Sequence, residues 1–438
     1  MVLKIRQSLK NINYRLYAAL LVFGLVPTIY TSVRVFFLGQ LPGEWAFSIA
    51  GQLSWVNLFY EVLQEAIILP LFHFVGNANG NKNEFSNRVR TGMILSLGMY
   101  AVLSTMVFIF AKPLLQFMAA DRRIIAESVS YIRIESIANV FGILTQFALV
   151  ALLMIGKSKY LYALTGAKLV LCLVCDTFLV SELPFSASLG VNGIGYSNII
   201  VNVLLLAVSL VLLNKEQVHV ISKAKLRFTW MKGYLRSGGI SGLESLVRNV
   251  AYMVMIARMV NVVGEQGTYW VANNFIWGWL LLPVIQLGEL IKREVADDRE
   301  NVRRNSLGYF VITGMIVLVW FVSMPMWEPF MKVVLGIAEP HKILYLTRLL
   351  LGFYVLYAVQ NVFDATFYGM GKTEYMLFES VVTNSIYYGI AFVLYVTGVW
   401  VPTLAGIAWM FGLGNLFDSV VSLGAYVVFL KREKIWIL

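Results

Sequence analysis

At 438 residues, 59% hydrophobic and only 13% charged, with a mean hydropathy of +0.74, the chain is too apolar for a soluble protein of its length. The net charge of +11 invites a nucleic-acid reading, which the placement of the charges excludes. Most of the 35 basic residues sit on connections between apolar runs, where anionic lipid headgroups are the natural neighbours.

The unit to count is then a membrane span of about 20 residues. Twelve can be drawn, near 14–38, 46–75, 91–111, 124–155, 160–182, 190–213, 238–262, 267–290, 307–326, 343–369, 375–397 and 403–429. The first holds Arg34 in the middle of "IYTSVRVFFLGQL". An embedded charge costs about 3 kcal/mol on insertion scales and calls for a partner. The second reads "WVNLFYEVLQEAIILP" and places Asn57, Glu61, Gln64 and Glu65 on one helical face, at spacings of three and four. Carboxylates do not face lipid, so this face is expected to meet a cleft or a polar neighbour, and Glu65 to pair with a basic group such as Arg34. Glu61 and Glu65 are candidates for proton coupling; helix packing by hydrogen bonds is the ordinary alternative. The fourth run is too long to be embedded throughout, and its start, "AESVSYIRIE", is expected in the interface or in water.

The fifth span carries Cys172, Cys175 and Asp176, and two cysteines in one helix make no disulfide framework. The seventh carries Glu244 and Arg248, four apart with the acid first, which is the spacing of an internal helix ion pair. In the eighth, "VANNFIWGWLLLP", the side chains of Asn273, Asn274, Trp277 and Trp279 offer hydrogen bonds and stacking to an amphipathic ligand, or else form an interfacial aromatic belt. The tenth carries Asp364. The 17 methionines suit an adaptable lining and lipid contact equally. No phosphate loop, zinc-spaced cluster or nucleophile elbow is present, and His73, His219 and His341 are scattered, so neither an enzyme nor a metal site is expected. No cofactor is implied beyond Na+ or H+ as a coupling ion.

Charge asymmetry orients the spans. With a cytoplasmic N-terminus, the outer connections hold only Lys112, Arg122, Arg123, Lys332 and Lys342, and the inner ones hold most of the remaining basic residues. Both termini are therefore expected on the cytoplasmic side of the cell membrane. The first span lacks a cleavage site, so no signal peptide is expected.

An internal repeat divides the chain. "YIRIESIANVFGILTQFALVALLMIGKSKYLYA" aligns without a gap on "YLTRLLLGFYVLYAVQNVFDATFYGMGKTEYML", placing Arg133 on Arg348, Gly156 on Gly371, Lys157 on Lys372 and Tyr160 on Tyr375. "VNGIGYSN" then falls near "LAGIAWMF", with Gly193 near Gly406, and "GEWAFSIAGQLSW" faintly echoes "GEQGTYWVANNFIWGW". The expected architecture is two six-helix bundles related by a pseudo-two-fold axis along the membrane normal. Their extents are residues 1–213 and 237–438, joined by a basic cytoplasmic linker at 214–236, with a cleft between them that opens by rocking.

These motifs carry a resemblance over nearly the whole chain. "YIRIESIANVF" with "MIGKSKY", its counterpart "GMGKTEY", the openings "LGVNGIGYSN" and "AGIAWMF", and "LVPTIYTSVRVFFLGQL" with Pro27 resemble the multidrug and toxic compound extrusion (MATE) transporters, of the multidrug/oligosaccharidyl-lipid/polysaccharide flippase superfamily. The resemblance implies an N-x-x-x-D cation site in the fifth helix, shared with an aspartate of the first. Here Asp176 fits, Cys172 replaces the asparagine, and Arg34 stands where the first-helix aspartate falls. An Arg34–Asp176 ion pair is the resulting expectation. The family's tenth-helix aspartate falls near Tyr357 rather than Asp364, and its seventh-helix glutamate nearer Asn249 than Glu244.

The resemblance implies a secondary active exporter of organic cations or other amphipathic small molecules, driven by inward sodium or proton flow and working as a monomer in the bilayer. Two alternatives remain at this point. Embedded Arg34, Lys168, Arg248 and Arg258 suit a flippase for an anionic lipid-linked sugar, or an exporter of an anionic solute. The altered ion site suits a non-transporting sensor or scaffold.

Overall fold

A computed structural model describes residues 2–42, 45–68, 70–78, 80–222 and 224–435, and these form helices with no strand among them. The first eight helices are α1 (Val2–Asn11), α2 (Tyr14–Gln40), α3 (Ala46–Ile68), α4 (Leu71–Phe74), α5 (Lys82–Phe117), α6 (Ile125–Met154), α7 (Ser158–Leu179) and α8 (Val191–Lys215). There follow α9 (Met231–Tyr252), α10 (Arg258–Val262), α11 (Gln266–Phe275), α12 (Leu282–Asp297), α13 (Asn301–Ser323) and α14 (Trp327–Val333). The last four are α15 (His341–Gly369), α16 (Thr373–Val382), α17 (Gly389–Val396) and α18 (Leu404–Arg432). Single π-helical turns at Met253–Ala257, Ile276–Leu280 and Thr383–Tyr388 join α9 to α10, α11 to α12 and α16 to α17.

Ten stretches are long and apolar enough to cross a membrane, and α11 with α12, bent by 50°, makes an eleventh. The remaining expected span is α3. Its 23 residues reach about 34 Å at 1.5 Å each, and its row of polar side chains explains its lower hydropathy. At the start of α6, Ala126 and Glu127 are exposed while Ser128, Tyr131 and Ile132 are buried by protein, and α6 packs on α5 and α8.

Packing groups the helices into two compact units. One, called here the C-terminal unit, comprises Met1–Ser32 and Thr268–Leu438; the other, the N-terminal unit, is Val33–Gly267. These units describe packing and the sequence halves describe repetition, and the two divisions cut the chain at different places.

In the C-terminal unit, α1 lies on α13, with Ser8 Oγ accepting from Gly308 N at 2.7 Å. Buried Glu294 on α12 accepts from Asn13 N at 2.8 Å, from Asn305 Nδ2 at 3.1 Å and from the Tyr309 hydroxyl. This one carboxylate ties the α1–α2 turn to α12 and α13. Glu294→Ala orphans these donors, each costing roughly 1–3 kcal/mol when buried. The expected result is a lower thermal midpoint in detergent and faster proteolysis near Asn13, while Glu300→Ala, on the exposed turn before α13, leaves both unchanged.

In the N-terminal unit, α9 lies close against α3. Gly238 and Gly242 sit on the contact face, where a Cβ on Gly238 would come within 2.1 Å of Ala66 O. Small residues four apart are what permit helix backbones to approach this closely.

The repeat recurs as a clasp. Gly156 and Gly371 follow α6 and α15 with φ of +76° and +68°, the left-handed conformation that glycine adopts without strain. The next residue in each copy reaches the end of a later long helix, α8 or α18: Lys157 Nζ lies 2.9 Å from Glu216, and Lys372 Nζ lies 3.3 Å from Glu433. Hydrogen bonding to Glu216 raises Lys157 above the usual lysine range, and the bond from Lys157 holds Glu216 below the usual carboxylate range. A raised lysine loses its contribution only as pH rises through that raised value, and a lowered carboxylate only as pH falls through its lowered one. The clasp is therefore intact across neutral pH. Arg123 likewise hydrogen-bonds Asp121 and holds it down to about 2. The thermal midpoint measured between about pH 5 and 9 is expected to show the same pH profile in Glu216→Gln and Asp121→Asn as in the parent.

Candidate functional site

Four polar or aromatic clusters collect the candidate residues, two in each unit. The first answers the position of Arg34. Its Nε donates to Asp176 Oδ2 at 2.7 Å, and its terminal nitrogens reach Asp176 Oδ1 at 3.4 Å and Asn198 Oδ1 at 2.7 Å. Asp176 is wholly buried and the Arg34 side chain is 12% exposed. Asn198 then donates to Glu135 Oε1 at 2.6 Å, so a chain of bonds runs from α2 through α7 and α8 to α6. Glu135 is also buried. A planar guanidinium suits this task because its fixed fork serves two acceptors at once.

The second cluster joins α3 to α9. Arg248 lies 2.7 Å from Glu65 and 3.7 Å from Glu61. The expected Glu65 partner, Arg34, is thus replaced by Arg248. The helical period placed Glu65 on the right face, but the helix opposite that face is α9. Asn249 Nδ2 on the next position donates to Leu58 O at 3.3 Å. The side chain of Glu244 lies outside the described residues, as does that of His73. Asn57 and Gln64 are exposed, with Asn57 reached only weakly by Asn139 Nδ2 at 3.5 Å. Between α3, α5 and α9 lies an apolar groove of about 780 Å3, to which Met99, Met106 and Met231 contribute.

The third cluster is aromatic and belongs to the C-terminal unit. Trp277 packs edge-on against Tyr357 at 5.6 Å and Tyr354 at 6.4 Å between ring centres. The neighbouring candidates divide: Asn273 is partly exposed, whereas Asn274 spends its amide on Trp270 O in its own helix. Trp279 Nε1 donates to Ser32 Oγ at 3.0 Å.

The fourth cluster surrounds Asp364 on α15. Gln360 Nε2 donates to Asp418 Oδ2 at 2.7 Å and, more weakly, to Asp364 Oδ2 at 3.4 Å. Thr383 donates to Asp418 Oδ1 at 2.6 Å, and Ser422 to Asp364 Oδ1 at 3.1 Å. Glu379 of α16 is buried against the same pair.

In this fourth cluster the sequence singled out Asp364 and passed over Glu379 and Asp418; in the first it passed over Glu135 and Asn198. A charged residue deep in an apolar span is a signal in its own right, and Glu379 and Asp418 both carried it.

Arg133 and Arg348, equivalent in the repeat, anchor helix starts. Arg133 Nε donates to Phe108 O at 3.0 Å, and Arg348 lines a cavity of about 380 Å3 with Glu328 and His341.

Residues 22–179 match the MatE family model. That match spans little more than a third of the chain. An inward-facing multidrug resistance MATE family transporter superposes with a TM-score of 0.76 at 17% identity, over 99% of this chain and 98% of that one. An outward-facing conformation of a MATE family transporter gives 0.69 at 17% identity, over 97% and 98%. A MOP superfamily transporter from Pyrococcus furiosus, described as having a binding pocket of reverse polarity, gives 0.66 at 17% identity, over 98% of each chain. No curated relative matches the sequence itself. The chain therefore has the fold of these transporters, whose solved structures include inward-facing and outward-facing conformations.

Proposed function

We propose that this MATE-fold chain is a secondary active exporter of organic cations or other amphipathic small molecules, driven by inward proton or sodium flow. It works as a monomer in the cell membrane with both termini in the cytoplasm. The observation that carries the reading is the fate of its embedded arginines. Arg34 is matched by Asp176, and Arg248 by Glu65 and Glu61. Guanidiniums already committed to carboxylates offer little to an anionic headgroup. Asp364, Glu379 and Asp418 meanwhile make no ion pair among the described residues, so acids remain to balance a cation.

The test uses protein reconstituted in liposomes, with ethidium as cationic probe and carboxyfluorescein as anionic probe. Ethidium is expected to cross only under an imposed proton or sodium gradient, and carboxyfluorescein not at all. Movement of carboxyfluorescein instead would transfer the chain to the anion-translocating class. Ethidium that binds without crossing under either gradient would make it a sensor or scaffold.

A further inference from the structure

We propose that Glu379 is an exchangeable-proton site, set in an acidic pocket that Asp364 and Asp418 complete. The pocket is built where α15, α16 and α18 meet, each part of a stretch long and apolar enough to span a membrane. Its three carboxyl groups have unequal surroundings. Asp418 receives two short hydrogen bonds, from Thr383 and Gln360, at 2.6 and 2.7 Å. Asp364 receives one from Ser422 and a longer one from Gln360. The Gln360 amide cannot turn away, because its oxygen already accepts from Ser419 at 2.8 Å. These donors stand in for water around two carboxylates.

Glu379 is served less well: the one donor beside it, the Ser422 hydroxyl, also bonds Asp364. Glu379 is 3% exposed, and its Oε1 has no hydrogen-bond partner among the described residues. The charged groups acting on it are Asp364 from α15 and Asp418 from α18. The π-helical turn beside it, Thr383–Tyr388, carries no charged residue, and its Tyr387 hydroxyl donates to Met410 O. Three adjacent carboxylates without a counter-charge cannot all remain ionised in such a place. The one with an oxygen left unserved is the one to carry the proton, and a neutral Glu379 donates to Asp364 instead of repelling it. The pocket also has an element able to move. The π turn opens at Thr383, the residue that holds Asp418, and such turns are concentrated at functional sites.

The contrast with the other acids is instructive. Asp176 is locked by a guanidinium, which does not give up its charge. Glu61 and Glu65 share Arg248 and are partly exposed. Among the described acids, Glu379 alone combines burial with a carboxyl oxygen that has no hydrogen-bond partner. In an exporter this proton is the coupling ion, a step that rests on the function proposed above; the proton site itself does not.

A hydrophobic carbodiimide tests it, because the reagent adds the O–H of a protonated, lipid-accessible carboxyl across its C=N bond and leaves a stable mass tag. Purified protein is treated with dicyclohexylcarbodiimide between about pH 5 and 9 and the tagged residue is read by mass spectrometry. Glu379 is expected to be tagged, with labelling falling about tenfold per pH unit beyond its midpoint, unaffected by sodium and abolished in Glu379→Gln. No tag on Glu379 at any of these pH values, or a tag that sodium suppresses, overturns the proton site. In liposomes, Glu379→Gln is expected to abolish ethidium movement driven by a proton gradient while ethidium binding persists; unchanged movement overturns the coupling step. Wild-type protein that labels with the expected pH profile yet moves no ethidium upholds the proton site and rejects the exporter.

Discussion

Replacing Arg34 by methionine is expected to cost about 3–5 kcal/mol and to remove most folded protein from detergent extracts. The reason is the partner left behind. Asp176 is wholly buried, and without the guanidinium its charge has no counter-ion. Asn198 loses the donor that orients it toward Glu135, so the damage extends to a second buried acid. Arg34→Lys is expected to rescue in part, since an ammonium restores charge but cannot serve Asp176 and Asn198 in one plane. The decisive variant is double. Arg34→Met with Asp176→Leu replaces the pair by apolar groups of similar size, and such replacements are often neutral or stabilising. The double variant should therefore recover most of the monodisperse yield lost by the single one. If it is no better than Arg34→Met alone, the pair is not the source of the loss.

Gly238→Val is expected to have the next largest effect. Any Cβ there would stand 2.1 Å from Ala66 O, a backbone atom that cannot turn aside. The helices must separate, at a cost of about 1–3 kcal/mol or more for overpacking. Arg248, about three turns further along α9, should then lose its reach to Glu65. The same helix supplies the controls. A Cβ on Gly242 would meet Ala66 Cβ at 3.0 Å, a milder conflict, and one on Gly239 meets nothing within 4 Å. The thermal midpoint should fall in the order Gly238→Ala, then Gly242→Ala, with Gly239→Ala neutral or slightly stabilising. Equal effects at all three positions would show that helix propensity, not the contact with α3, governs this segment.

Much of this arrangement was legible in the residues. Apolar runs mark spans because lipid admits no unsatisfied backbone, and only helices or closed barrels meet that demand. The aligned Gly-Lys pairs announced a repeat, and both copies of the clasp bear it out: Lys157 and Lys372 reach glutamates at equivalent helix ends. A lone arginine in an apolar run demanded an acid, and Asp176, the one embedded in the fifth span, is the acid it meets.

What remained hidden is the identity of neighbours. Helical period tells which residues share a face, and so placed Glu61 and Glu65 together on α3. It does not tell which helix stands opposite, and only the close approach allowed by Gly238 and Gly242 brings Arg248 of α9 to that face. The acidic pocket was hidden for the same reason. Asp364, Glu379 and Asp418 lie on three helices, up to 54 positions apart in sequence, and each alone reads as an isolated polar residue. Local chemistry thus determined that the chain is a membrane helix bundle with charges to neutralise. Tertiary packing decided which charges neutralise one another and which carboxyl, Glu379, keeps an oxygen without a hydrogen-bond partner, because side-chain hydrogen bonds between helices depend on distances that no local pattern encodes.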